Sequence, residues 1–225
     1  VSDKQLDKWQ RWLRELIEPD VIGMHSRRSM WRSVQQMLAA NDTLPESHWW
    51  QFMSHTYTTT QASAIRRQAD TDKQSASLGR ILTEIKGNAH RITPEWWIGQ
   101  WPDHDELLLV EAQRWWRDQW GGTVGTHLDP EIPARHLERL THAAKDVTHY
   151  VDRHIAHIDH RAGRDVVTLT LGDLHEAIDV IGEVFKPVFN LLTASSMVQL
   201  EPVFQYNWMA VFEQPWQAQS AHPAA

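Results

Sequence analysis

The sequence predicts an all-α fold, a helical bundle with a short irregular C-terminal arm. Three observations predict it. Apolar residues recur at three- and four-residue spacing along nearly the whole chain, the period of helices with one buried face. Prolines, glycines and capping residues fall at the ends of these runs. Thirteen tryptophans among 225 residues, against three tyrosines, supply wide apolar side chains that fill gaps between helices. One or two of them could instead stack on nucleobases.

The elements follow in order. Leu6, Trp9, Leu13, Leu16 and Ile17 mark a first helix, which Pro19 is expected to end, because proline lacks an N–H and clashes with the preceding turn. Met30, Trp31, Val34, Met37 and Leu38 mark a second, closing near Asn41 and Asp42. A third follows Pro45 and carries Trp49, Trp50, Met53 and Tyr57 on one side, running toward Asp70. Leu78, Ile81, Leu82 and Ile85 define a short helix over 75–86, stopped by Gly87 and Asn88. Thr93 before Pro94 reads as an N-cap with proline at the first helical position. Leu107 to Trp120 is a further helix, closed by Gly121 and Gly122. A glycine-bearing loop leads to one long helix from Ile132 to about Ala162, with Gly163 as its stop. The stretch from Val166 to Thr170 is β-prone but short. Gly172 and Asp173 are expected to open the last helix, with Leu174, Ile178, Ile181, Phe185, Val188, Phe189 and Leu192 at core spacing. Residues 1–195 thus form the bundle. Residues 196–225 form the arm, strand or coil or packed segment over 197–212, and a tail expected to be disordered.

Composition excludes several functions. There is no cysteine, so no disulfide, thiolate metal site or cysteine nucleophile. Net charge is −7, against the basic surface of a general nucleic-acid binder, although a small cationic site can sit on an acidic body. Neither a signal peptide nor a long apolar run is present, which makes a cytoplasmic location the expectation. Phosphate-binding loops, dinucleotide fingerprints, nucleophile elbows and paired-histidine zinc motifs are absent.

The segment from Tyr150 to Arg161 carries the densest chemistry. On a helix, Val147, Val151, Ile155, Ile158 and Ala162 fall on one side. His149, Arg153, His157, His160 and Arg164 fall on the other, within a stripe about 80° wide. Imidazoles that titrate near neutrality beside permanently charged guanidiniums can combine proton transfer with anion binding. Asp152 and Asp159 flank the stripe and could orient an imidazole.

This segment, Tyr150-Val-Asp-Arg-His-Ile-Ala-His157, resembles the signature of the HEPN superfamily. There an arginine, four to six residues and a histidine lie on a late helix, often ending in Ile-Ala-His. Upstream, Ala64-Ile-Arg-Arg-Gln-Ala-Asp70 and Ser77-Leu-Gly-Arg-Ile-Leu82 are similar to the abortive-infection branch of that superfamily. The likeness runs loosely over residues 25–160. It implies an antiparallel helical bundle that forms a homodimer with signature helices facing each other. It also implies metal-independent endoribonuclease activity on RNA, in phage defence or beside an antitoxin. His157 would move the 2′-hydroxyl proton, Arg153 would bind the phosphate, and His160 or Asp152 would assist. The chain departs from the motif in one respect. With Ala156-His157 aligned, the usual arginine position falls on Val151 or Asp152, and the arginine stands at Arg153; alternatively Arg153 and His160, with six residues between them, satisfy the spacing and give up the Ala-His match.

Arg66 and Arg67 are candidate substrate-binding cations near the signature helix, although Arg66 and Asp70 are also spaced for an ordinary helical ion pair. His154, His157 and His160 spread over about 120° and would need a ligand such as His25, His55 or His90 to hold a metal. Arg153 beside them disfavours a cation, so no metal and no cofactor is assigned. Arg27 and Arg28 read as a solvated pair near a helix start. The competing reading of the whole is a non-catalytic dimeric module that binds a partner protein or small anion through the same face.

Overall fold

The computed structural model describes residues 3–41, 47–100, 106–122, 124–155 and 169–213. These form a bundle of helices, and no strand occurs among them. In chain order the helices are α1 (Asp3–Trp12), α2 (Glu18–Ala39), α3 (His48–Ala69), α4 (Leu78–Gly87), α5 (Pro94–Ile98), α6 (Glu106–Trp116), α7 (Glu131–Ala143), α8 (Lys145–Tyr150) and α9 (Leu171–Thr193). Helix α9 is the axis of the bundle: α1, α2, α3, α7 and α8 all pack on it. Its Ile178, Val184, Phe185, Val188 and Leu192 are fully buried.

Among the described residues, three π-helical segments continue α-helices, at Leu13–Ile17, Arg117–Gly121 and Val151–Ile155. Each lies where buried residues repeat every four positions. Trp9, Leu13, Ile17 and Val21 are all fully buried, as are, nearly, Ala112, Trp116 and Trp120. Val147 and Val151 are buried, with Ile155 packed against the same core. An α-helix turns in 3.6 residues, so a seam of period four drifts off the core face. A π turn is wider and brings the seam back.

The first π segment also explains Pro19, which does not end the helix. The Glu18 N–H bonds the Leu13 carbonyl five residues back. Pro19 then occupies the first turn of α2, where its missing N–H costs nothing. The helical path therefore runs from Asp3 to Ala39, and the expected second helix is the latter part of α2.

Thr93 caps α5 as expected, accepting from the Trp96 N–H, whereas α4, expected from Ser75, begins at Leu78, where the Ser77 hydroxyl accepts from the Arg80 N–H. Asn88 closes α4. The last helix opens two residues earlier than expected, at Thr170. Its hydroxyl accepts from the Asp173 N–H while the Asp173 carboxylate accepts from the Thr170 N–H, a reciprocal capping box. The expected long helix from Ile132 is interrupted at Ala144, which separates α7 from α8. Its end, with Gly163 and the β-prone stretch from Val166, lies outside the described residues apart from Leu169 and Thr170.

Trp9, Trp97, Trp116 and Trp120 are buried, and Trp97 stacks on Trp115 with centroids 4.9 Å apart. They fill inter-helix gaps as the composition suggested. After α9 the chain becomes an irregular arm. It lays Leu200 into the core and ends in a 3-10 turn, Trp208–Phe212. The tail from Gln214 lies outside the described residues.

Candidate functional site

Helix α8 and the π turn Val151–Ile155 pack along α3. Val151 points into the core, 4 % exposed. The next residue, Asp152, turns outward and meets α3. Arg66 Nε donates to Asp152 Oδ1 at 2.6 Å, with both side chains about half exposed. Arg66 therefore does not make the expected pair with Asp70, whose carboxylate accepts from the Asp72 backbone N–H. Asp70 lies just past the end of α3 with an extended backbone, so its carboxylate is not carried one helical turn along from Arg66. Arg153 follows on the same π turn and is half-buried. The Tyr150 and His154 rings lie 5.0 Å apart on this turn. The π geometry widens the helix at Asp152 and Arg153. His157 and His160 lie outside the described residues.

Arg67 points elsewhere. Its guanidinium makes two hydrogen bonds to Asp20, at 3.0 and 2.8 Å, and Gln68 donates to the same carboxylate. Of the two candidate α3 arginines, the structure brings Arg66 to the signature segment and Arg67 to the start of α2.

The sequence reading missed a second cluster. Arg28 is not a solvated residue at a helix start. It sits in the middle of α2 and is 3 % exposed. Its guanidinium donates to Asp179 Oδ1 at 2.5 Å and the His175 carbonyl at 3.3 Å, both on α9, and to Glu201 Oε1 on the arm at 2.9 Å. These carboxylates hold its pKa above the usual arginine value against the opposing effect of burial. Arg28 Nη2 lies 3.1 Å from His25 Nδ1. Arginine can only donate, so this Nδ1 accepts and the His25 proton is placed on Nε2. Burial lowers the His25 pKa, and the Arg28 charge lowers it further. Next to this cluster the Tyr57 hydroxyl lies 2.9 Å from His175 Nε2. A signal for the cluster was present: Val21, Met24, Arg28 and Trp31 keep core spacing, and all are buried. The expected helix start near Arg27 hid it.

Among the described residues no group of three histidine, aspartate or glutamate side chains could hold a metal ion, and no helix is long and apolar enough to cross a membrane.

An all-helical bundle is the fold of a HEPN-type protein. The family model HEPN_AbiU2, described as AbiU2, matches residues 6–209, and the protein belongs to this abortive-infection family of the HEPN superfamily. The match runs through the arm as far as Met209. No curated protein and no solved structure gives a significant match.

Proposed function

We propose that the protein is a metal-independent endoribonuclease of abortive infection, acting as a homodimer on RNA. The observation that carries this reading is the Arg66–Asp152 contact. If Ala156-His157 corresponds to the Ala-His of the resemblance, its arginine position falls on Val151 or Asp152, and Arg66 of α3 brings a guanidinium to Asp152 from outside the helix. Arg66 and Arg153 then bind the scissile phosphate, and Asp152 orients Arg66. His157 removes the 2′-hydroxyl proton, the 2′-oxygen attacks phosphorus, and His160 protonates the departing 5′-oxygen. The products are a 2′,3′-cyclic phosphate and a 5′-hydroxyl. An antitoxin partner fits the same context.

The full-length protein incubated with structured and unstructured RNAs in EDTA is expected to cleave. His157→Ala and Arg66→Met should each reduce the rate at least a hundredfold. Absence of cleavage by the parent protein on every RNA would leave the non-catalytic module as the reading. The ion pair that neutralises Asp152 is compatible with that second reading.

A further inference from the structure

An apolar cleft of about 410 Å³ opens between α2, α3 and the arm, away from the signature segment. Its helical wall carries Met30, Trp31 and Val34 from α2, with Met53 and Tyr57 from α3. Trp31 and Tyr57 stack in parallel, with centroids 4.9 Å apart and planes at 11°. The opposite wall is the 3-10 turn of the arm, through Trp208 and Phe212. The buried Arg28 of α2 is ion-paired with Glu201 of the arm, seven residues before that turn. The cleft is on the Tyr57 and Thr60 side of α3. At about 100° per residue, Arg66 faces nearly the opposite way.

Charge selects among occupants. Among the described residues no carboxylate lines the cleft, and Arg27 is the single charged one. The Arg27 guanidinium is half-buried and uses Nε on the Gln61 carbonyl oxygen at 3.1 Å. Burial lowers its pKa, which marks a cation short of compensation. The charge of Asp20 raises it, but that carboxylate accepts hydrogen bonds from Arg67 and Gln68. A guanidinium without a carboxylate in contact, at the edge of an aromatic cleft, favours an anion attached to a flat apolar body. The volume falls in the range of small-molecule sites, about 300–1,000 Å³.

We propose that this cleft binds a small aromatic anion, its ring system against the Trp31–Tyr57 stack and its charged group on Arg27. The site is independent of RNA cleavage and does not rest on it.

The test uses the full chain and two fluorescent probes of similar shape: 8-anilinonaphthalene-1-sulfonate, which is anionic, and N-phenyl-1-naphthylamine, which is neutral. Both are expected to bind saturably with one site per chain, the sulfonate more tightly. Arg27→Gln should weaken the sulfonate at least tenfold and the neutral probe less than twofold, and Arg27→Lys should recover most of the loss. Thr60→Trp, at an exposed lining position, should weaken both at least tenfold, with circular dichroism melting unchanged. Sulfonate affinity unchanged in Arg27→Gln, or both affinities unchanged in Thr60→Trp, would overturn the proposal. So would a tenfold gain in Trp216→Ala, which would make the chain's own tail the occupant. Probe binding that dissociates an oligomer would likewise overturn it, by making the cleft a subunit interface.

Discussion

Arg28 Nη2 and Glu201 Oε1 lie 2.9 Å apart and join the middle of α2 to the arm beyond α9. The arginine is buried, whereas Glu201 and Asp179 keep 42 % and 55 % of their side-chain surface, so solvent screens both ion pairs. Arg28→Met is expected to cost about 1–3 kcal/mol, through lost charge-assisted hydrogen bonds. Glu201→Gln should cost under about 1 kcal/mol. Its signature should be local: faster amide hydrogen exchange over 195–213, with the bundle unchanged. Uniformly faster exchange would mean that the contact is not what fastens the arm.

Stability should fall in mild acid. His25, His136 and His175 all have pKa values below the ordinary 6.5, chiefly through burial. Arg28 adds to the effect at His25, Arg139 at His136 and Arg32 at His175, while Glu201 and Asp179 partly oppose it at His25. Below about pH 6.5 the unfolded chain binds protons that the folded chain resists, so unfolding is favoured as pH drops. These groups contribute no pH dependence well above that value. Urea unfolding at pH 7.5, 6.5 and 5.5 should show the decline only in the lower interval. His25→Gln should make that decline shallower.

Glu84 ties α1 to α4. It accepts from Gln5, Lys8 and the Trp9 indole on α1, and from Arg80 on its own helix. Burial alone would raise its pKa, but the hydrogen bonds from Lys8 and Trp9 and the nearby charges of Lys8 and Arg80 leave it below 4.5. Its stabilisation is present above about pH 4.5 and is lost as pH falls through the lower folded value. Glu84→Ala orphans the N–H of the fully buried Trp9 and should cost about 2–3 kcal/mol in denaturant titrations at pH 7. A loss below about 0.5 kcal/mol would show that Lys8 and Trp9 find other partners.

The Arg66–Asp152 pair should matter little to folding, since both side chains are about half exposed. Arg66→Met and Asp152→Asn should each shift stability by under about 1 kcal/mol. Under the proposed function both should lower RNA cleavage, and the double variant should be little worse than Arg66→Met. Additive losses in that cycle would mean that Asp152 acts independently of Arg66.

Gly79 tests the packing of α4 on α3. A Cβ there would lie 2.8 Å from the Asp70 carbonyl oxygen and 2.9 Å from that of Ala69. These are backbone atoms that cannot rotate away. Gly79→Ala is therefore expected to cost about 1–3 kcal/mol, despite alanine's better helix propensity. A stabilised variant in thermal melts would contradict this close approach.

By itself the sequence determined the helices and their buried faces. The cap at Thr93, the stop at Asn88 and the core residues of α9 depend on local hydrogen bonds and on a 3.6-residue period, both readable along the chain. It also marked the late Arg/His segment from which the family could be recognised. Tertiary structure decided what each charge is for. Arg28 and Arg27 are adjacent, yet one is locked between α9 and the arm and the other edges an open cleft. Arg66 and Arg67 are adjacent too, and the π turn after α8 and the start of α2 supply their separate carboxylates. Even Pro19 changed meaning, because a seam of period four called for a π turn just before it. Hydrogen-bond partners more than a hundred residues away in sequence leave no periodic trace, so a guanidinium's role is fixed only when the helices pack.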